Sequence, residues 1–368
     1  MLTRFVPPQT PSLVVDRSAL ESNLGAMQAL CSAAGVRMRA HGKMHKCSTF
    51  GRLQVARGAV GLCAQTVGEA EAFVSGGIGD VLVTSPSARW AAARIAALAR
   101  RARIGATADH ADQVAWLGAA AREARVEIDL IVDIDPGTHR TGAPADGAVD
   151  LARLAAATEG LRFAGIQLYA GSLQHIAAAG ERRRAYGDVI AMAAKVAEAL
   201  EAAGLPPGVV TGGGTGSHAF DLGSGVFTEL QAGSYAVMDA EYGAVDAPAG
   251  GSWPFRPALW VASTVLSTNH HTHVTIDAGL KAMSTDGPPA RLAQGAPEGS
   301  TWVAKGDEHG FVVLPAGMTN AHAPKLGDIV WLQPGHCDPT INLYDALYVV
   351  DVEGAYERWP VDARRVTA

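Results

Sequence analysis

Residues 36 to 235 repeat one pattern, a short apolar, β-branched run followed by a stretch with helical spacing. The runs are VRMRAHGK, AVGLCAQ, DVLVTSP, RIGATAD, VEIDLIVDID, LRFAGIQLYA, GVVTGGG and FTELQAGSY. Between most of them lie alanine-rich segments such as GEAEAFVSGG, WAAARIAALARRA, AVDLARLAAATEG and RRRAYGDVIAMAAKVAEALEAAG. The first, third and fourth of these end in glycine, the residue that most readily turns left-handed past a helix end. Strand followed by helix, about eight times over, argues for a parallel sheet, because parallel neighbours need a crossover between them. The count predicts an α/β fold built on a closed (β/α)8 barrel. An open doubly wound sheet is the alternative.

The pattern changes near Pro254. Helical spacing fades, and the runs ALWVASTVL, HTHVTIDAG, STWVAKG, GFVVLP, DIVWLQPG and ALYVVDV follow one another across turns such as TDGPP and APEGS. Residues 254–368 therefore read as an all-β domain. The barrel domain is 17–253, and the N-terminal strand within 1–16, PSLVVD, is expected to join the C-terminal domain.

Composition narrows the function. The chain has 368 residues, 48% of them hydrophobic and 18% charged, enough for a large core. A net charge of −6 and the lack of a basic run argue against a nucleic-acid binder. No apolar stretch reaches the roughly 18 residues of a membrane span, and no signal-peptide core precedes the first prolines, so a cytoplasmic location is expected. Cys31, Cys47, Cys63 and Cys337 show no CxxC spacing and read as free thiols of a reducing compartment.

In such a barrel the active site lies at the C-terminal strand ends. There stand Lys43, Gln65, Thr84 with Ser85, Asp109 with His110, Arg140, Tyr169 with His175, then GGGTGS and GSY. Loops are polar in any protein, but Lys43 and Arg140 follow strongly apolar or extended runs. Lys43 sits in HGKMHK, beside His41, His45 and Lys46. A lysine pocketed among cationic groups tends to lose its proton and can attack a carbonyl, which is the setting pyridoxal phosphate requires. In TGGGTGS the glycines, with Gly214, Thr215 and Gly216 at their end, admit close approach of a phosphate, although a glycine cluster is more often a turn. Gly233, Ser234 and Tyr235 supply a second such set one strand later.

In LQPGHCDPTINLYD, His336 and Asp338 face one side if the segment is extended, with Cys337 on the other. They make half a site for Zn²⁺, Mn²⁺ or Mg²⁺, although His-x-Asp is more often a turn. KGDEHG adds Asp307, Glu308 and His309, which also read as a hairpin turn.

Together HGKMHK, GIQLYAGSLQH, GGGTGS, LQAGSYAVMDAEYG, DAGLKA, DEHG and PGHCDPTINLYD resemble the D-threonine aldolase group over nearly the whole chain. That group includes D-3-hydroxyaspartate aldolases, is related to D-serine dehydratases, and belongs to the alanine-racemase-like pyridoxal-phosphate enzymes. The resemblance implies pyridoxal 5'-phosphate, a divalent metal, and a homodimer in which the partner's β-domain completes each site. It implies retro-aldol cleavage of a small β-hydroxy-D-amino acid, of the D-threonine type, to glycine and an aldehyde. Lys43 matches the Schiff-base lysine, His336 and Asp338 the metal ligands, His175 the base near the metal, and Asp307 an acidic residue of the same site. Gln65, Arg140, Tyr169 and the glycine loop match cofactor contacts. Ala40 and Ala170 depart from residues common in the group, and both line the substrate end. A D-3-hydroxyaspartate aldolase, and a D-serine or D-3-hydroxyaspartate dehydratase giving a 2-oxo acid and ammonia, remain as alternatives. A racemase would need a second base, for which Tyr344 is the candidate, and a non-catalytic cofactor carrier would lack the β-domain.

Overall fold

The structure is a computed structural model that describes residues 4–364. These fall into two compact units, one a barrel and one a sheet.

The barrel unit holds residues 25–233 and 245–253, with residues 362–364 joined to it. Eight parallel strands close on themselves: β2 (Arg37–His41), β3 (Gly61–Ala64), β4 (Asp80–Val83), β5 (Arg103–Ala108), β6 (Ile128–Ile134), β7 (Leu161–Leu168), β8 (Val209–Gly212) and β9 (Glu229–Leu230). Each of the eight apolar runs supplies one strand, and the open-sheet alternative falls away. Closure is made by the shortest strand, where Arg37 pairs with Glu229 and Met38 with Leu230. All seven residues of β6 are buried, as expected for a strand covered on both faces. Helices α2 (Ser48–Ala56), α3 (Val67–Ser75), α4 (Ala92–Leu98), α5 (Ala111–Ala124), α6 (Ala148–Ala157), α7 (Ala179–Ala202) and α8 (His218–Leu222) alternate with the strands. Thr66 begins α3 by accepting from the Glu69 amide, while the Glu69 carboxylate accepts from the Gln65 amide, a near relative of the capping box. Past α3, α6 and α7 the left-handed residue is Gly77, Gly160 and Gly204 in turn.

The floor of the barrel is ionic. Arg39 Nε donates to Glu229 Oε1 at 2.8 Å and Arg39 Nη1 to Asp80 Oδ1 at 2.6 Å. Arg103 Nε donates to Asp129 Oδ2 at 2.8 Å. Arg39 and Glu229 are both buried, so neither charge has water in reserve.

The sheet unit holds residues 4–24, 234–244 and 254–361. Nine strands form it: β1 (Ser12–Asp16), β10 (Leu259–Ser267), β11 (His273–Ile276), β12 (Arg291–Gln294), β13 (Thr301–Ala304), β14 (Gly310–Val313), β15 (Ile329–Gln333), β16 (Ala346–Val350) and β17 (Tyr356–Pro360). The N-terminal strand β1 lies within it, antiparallel to β10 and parallel to β16. Its core gathers Phe5, Val14, Ala262, Trp331 and Val350. Residues 362–364, assigned to the β-domain from the sequence, group with the barrel unit, and residues 17–24 and 234–244, assigned to the barrel domain, group with this unit. The backbone of 234–244 is tied there: the Ala240 and Glu241 amides donate to the Pro334 and Gly335 carbonyls, and the Ala258 amide to the Val237 carbonyl. Among the described residues no helix is long and apolar enough to cross a membrane.

Removing one partner of a buried ion pair leaves an uncompensated charge. Arg39→Met is expected to cost about 3–5 kcal/mol of stability, read as a lower urea midpoint, and adding Glu229→Gln is expected to recover most of it. An unchanged midpoint in the single variant would show that the floor network does not hold the barrel.

Candidate active site

Lys43 lies in a single helical turn, Gly42–Met44, at the end of β2. Gly42 is required there, because a Cβ would run into the Phe73 ring. The pocket at this end of the barrel is lined by His41, Lys43, Gln65, Thr84, Arg140, Gln167, Tyr169 and Gln231. Lys43 is thus the HGKMHK lysine that faces it. His45 is instead buried, its ring stacked on Phe50 at 4.3 Å and its Nδ1 accepting from the Cys47 amide. Lys46 pairs with the Glu69 carboxylate at 3.3 Å.

The pocket is electropositive. The Arg140 guanidinium lies 5.3 Å from the centre of the Tyr169 ring. His41 is buried, and burial, then Lys43, His45 and Arg140, holds its pKa well below the ordinary histidine value. It therefore stands as a neutral imidazole between two cations. Its Nε2 meets Thr84 Oγ1 at 3.3 Å, and its buried Nδ1 has no hydrogen-bond partner among the described residues. A polar, cation-lined cavity with an aromatic wall suits an anionic, planar ligand. Gln65, Arg140 and Tyr169, picked out in the sequence, all line it. Gln167, Gln231 and, behind them, Asp133 were missed; their signal was a polar residue within an otherwise apolar strand run.

The glycine turn is built differently from the expected cradle. The Gly214 amide donates to Ser217 Oγ at 3.1 Å and the Gly216 amide to Gln174 Oε1 at 2.9 Å. Thr215 is buried, and its carbonyl accepts from His218 Nδ1 at 2.8 Å. A Cβ on Gly213 would meet the Asp221 carboxylate, and one on Gly214 or Gly216 would meet Gln174. These glycines let the turn pack against Gln174 and Asp221, and two of their amides are already used. His175, next to Gln174, is half-buried, with its Nε2 inside the protein. Gly233 packs against His41 and Met44.

The sheet unit gathers a second cluster. His336 precedes the short helix α9 (Cys337–Ile341), and Asp338 lies in its first turn. The segment is therefore not extended, as the sequence reading assumed, yet the two side chains still meet: His336 Nε2 is 3.9 Å from Asp338 Oδ1. His336 Nδ1 is held by Asp286 Oδ2 at 2.8 Å. Ser234 Oγ donates to Asp338 Oδ1 at 3.4 Å, so Ser234 sits with this pair. The buried Tyr235 packs edge-on against Phe255. Cys337 is buried, its amide donating to Asp239 Oδ2 at 3.0 Å. Among the described residues no three His, Cys, Asp or Glu side chains are arranged as a complete metal cluster. Asp307 is exposed and lies 3.5 Å from Lys281 Nζ, which also meets Glu308 Oε1 at 2.6 Å. Tyr344 donates its hydroxyl to the Ala282 carbonyl, and burial followed by Asp277 pushes its pKa up, which makes it a poor proton carrier for racemisation.

A parallel barrel with a lysine at its first strand end, followed by a mostly-β unit, defines the alanine-racemase-like class. Residues 15–241 match the alanine racemase N-terminal domain, and residues 258–350 match the putative serine dehydratase domain. The chain is 42% identical to a D-threonine aldolase from Arthrobacter sp., over 96% of this chain and 92% of that one. It is 41% identical to a 3-hydroxy-D-aspartate aldolase from Paracoccus denitrificans, over 97% and 92%. A D-threo-3-hydroxyaspartate dehydratase from Delftia sp. is 28% identical over 95% and 96%. The crystal structure of D-threonine aldolase from Filomicrobium marinum superposes with a TM-score of 0.91 at 38% identity, over 97% of this chain and 95% of that one. The chain belongs to the D-threonine and 3-hydroxy-D-aspartate aldolase family of alanine-racemase-like proteins. Membership implies pyridoxal phosphate as cofactor.

Beneath the glycine turn, burial pushes the Asp221 carboxyl up to about 7, against the hydrogen bond from Ser217 Oγ. A raised carboxyl favours the folded state while protonated. That contribution is lost as pH climbs from the unfolded value near 3.9 through about 7. Asp221→Asn should therefore gain stability relative to the parent as pH rises from about 4 to about 7, measured as urea midpoints. A difference that does not change with pH would mean that Asp221 is ionised throughout.

Proposed function

We propose that this chain is a pyridoxal-phosphate- and divalent-metal-dependent lyase that cleaves β-hydroxy-D-amino acids of the D-threonine type to glycine and an aldehyde. The observation that carries this reading is the 42% identity to a D-threonine aldolase over nearly the full length of both chains, set against 28% to the dehydratase. Pyridoxal phosphate, when bound, supplies an electron-withdrawing ring able to spread the negative charge that develops at Cα. Lys43 Nζ would hold the cofactor covalently. His41, neutral beside it, would leave that amine without a competing acid. Arg140 and Gln65 would bind the ring's polar edge, and Tyr169 would wall one side. The glycine turn at Gly214, Thr215 and Gly216, with Gly233, would give the phosphate room.

A divalent cation, when held by His336 and Asp338, supplies Lewis acidity toward the substrate's β-hydroxyl. The Asp286 carboxylate on His336 Nδ1 fixes the ring so that Nε2 is the free ligand atom, the usual support for a metal-binding histidine. By the resemblance, His175 would accept the β-hydroxyl proton, and loss of that proton drives scission of the Cα–Cβ bond. Ser234 would orient Asp338, and the resemblance assigns Asp307 to the same site. Manganese or a similar ion, a homodimer and a cytoplasmic location belong to the same proposal. They rest on the resemblance and the composition.

The test is to incubate the protein with pyridoxal phosphate and Mn²⁺, supply D-threonine or D-3-hydroxyaspartate, and identify products by mass. Glycine with acetaldehyde, or glycine with glyoxylate, is expected. A 2-oxo acid with ammonia and no glycine would overturn the aldolase reading. Lys43→Ala should lower kcat by on the order of 10⁴-fold or more. Asp286→Asn should weaken Mn²⁺ binding by roughly 10–100-fold in a calorimetric titration; unchanged affinity would place the metal elsewhere.

A further inference from the structure

Arg140 sits on the loop that leaves β6, and three carboxylates fasten that loop. Asp135 Oδ1 accepts the amides of Gly137, Thr138 and His139 at 2.9, 2.8 and 3.0 Å. Asp135 Oδ2 pairs with His139 Nδ1 at 2.9 Å, out at the exposed tip. Asp109, just past β5, accepts the Gly142 amide at 2.9 Å. Asp133, inside β6, accepts the Thr141 hydroxyl at 3.0 Å. Asp133 and Asp109 therefore grip the two residues that directly follow Arg140.

Asp133 also faces inward. Its Oδ1 accepts from Gln167 Nε2 at 2.8 Å, and it is 4% exposed. One oxygen thus holds the Arg140 loop while the other is anchored in the barrel interior. The charged groups acting on it are Asp109 from the β5 side and Arg140 from the loop; Gln167 on β7 is neutral. Across the pocket on β2, His41 is neutral. The sequence places Asp133 in VEIDLIVDID, where it reads only as a polar break in an apolar strand.

We propose that Asp133 is a positioning residue for Arg140: its carboxylate fixes the guanidinium over Tyr169 and sets the field in which that guanidinium meets an anionic ligand. This rests on Arg140 as a ligand contact in the reading above. An ionised Asp133 accepts from Thr141 and offers Arg140 a negative neighbour. Protonation removes that neighbour and converts one acceptor oxygen into a donor, so the Thr141 hydroxyl must turn or let go. Burial pushes Asp133 up to about 6, with the Gln167 and Thr141 hydrogen bonds opposing it, which brings the change near working pH. Arginine keeps its own charge across this range, so any pH-dependent change at Arg140 reports a neighbour.

The experiment follows the Nε–H resonance of Arg140 in the apoprotein by nitrogen-15 NMR, assigned with Arg140→Lys. No substrate or cofactor is present, so failure of the aldolase reading would leave this result standing, and the reverse also holds. One transition near pH 6 is expected. Asp133→Asn should abolish it, and Asp109→Asn should keep it with a lower midpoint, because a like charge is removed. Thr141→Val removes a donor that favours the ionised carboxyl and should move the midpoint upward, while Thr141→Ser should restore it. Thr141→Val also keeps the test open if Asp133→Asn fails to fold. A flat parent titration, a transition that survives Asp133→Asn, one lost with Asp109→Asn, or a midpoint indifferent to Thr141→Val would overturn the proposal.

Discussion

A continuous run of side-chain hydrogen bonds through the barrel interior is the constraint on which the rest of that unit depends. Gln167 Nε2 donates to the Thr84 carbonyl and to Asp133. Gln231 Nε2 links Gln167 Oε1 to Thr211 Oγ1, and Thr211 Oγ1 donates to Glu229 Oε1. Glu229 accepts from Arg39, which reaches Asp80. Each neutral group among these, buried without its partner, would cost about 1–3 kcal/mol, and the charged Arg39 and Glu229 more. Paired in sequence, they turn a liability into a demand on register. A one-residue slip in any contributing strand would send its polar side chain to the helix-covered face and break the run at that point. The run therefore specifies one alignment of strands, where apolar side chains alone would tolerate several packings.

That alignment decides the electrostatics at the lysine end. His41 ends β2 and Thr84 follows β4, so the His41–Thr84 contact exists only in this register. Burial then keeps the imidazole neutral between Lys43 and Arg140. A charged imidazole there would add a third cation to a space too small to separate them. The neutral ring keeps a further positive charge out of the pocket that Lys43 and Arg140 line. Floor and pocket are thus coupled through one hydrogen-bonded axis, although nothing charged passes between them.

The eight barrel strands were legible because strands covered on both faces read as unbroken apolar runs, and Lys43, Gln65, Arg140 and Tyr169 were legible because they follow those runs. The sheet was harder. β12 (Arg291–Gln294) and β17 (Tyr356–Pro360) were not anticipated, since their residues are mostly exposed and neither RLAQ nor YERWP has an apolar face to betray a strand. Asp133, Gln167 and Gln231 escaped for the opposite reason. Period-two reasoning marks a polar residue in a strand as solvent-facing, and in a closed barrel the inward positions also need filling. Only the closed topology shows that their partners lie on neighbouring strands. His336 and Asp338 were paired on the wrong geometry: a helix start, with Asp286 behind it, brings them together.

The glycine turn shows how a motif can carry a different physical reason from the one its sequence suggests. Three glycines in a row suggested open amides awaiting a phosphate. In the folded chain the close approach they permit is first of all internal. Gln174 uses both ends of its carboxamide, accepting from the Gly216 amide and donating to Ser217 Oγ, and Ser217 passes the chain on to Asp221. A side chain at Gly213, Gly214 or Gly216 would collide with Gln174 or Asp221 before it met any ligand. The turn is therefore shaped by its own packing, and a ligand arriving there meets a surface already fixed. Such a surface loses little freedom on binding, which is the condition under which a few modest contacts suffice to hold an anion. The same logic holds for the Arg140 loop, where Asp135 and Asp109 hold backbone amides and Asp133 holds the Thr141 hydroxyl around one cation before any ligand is present.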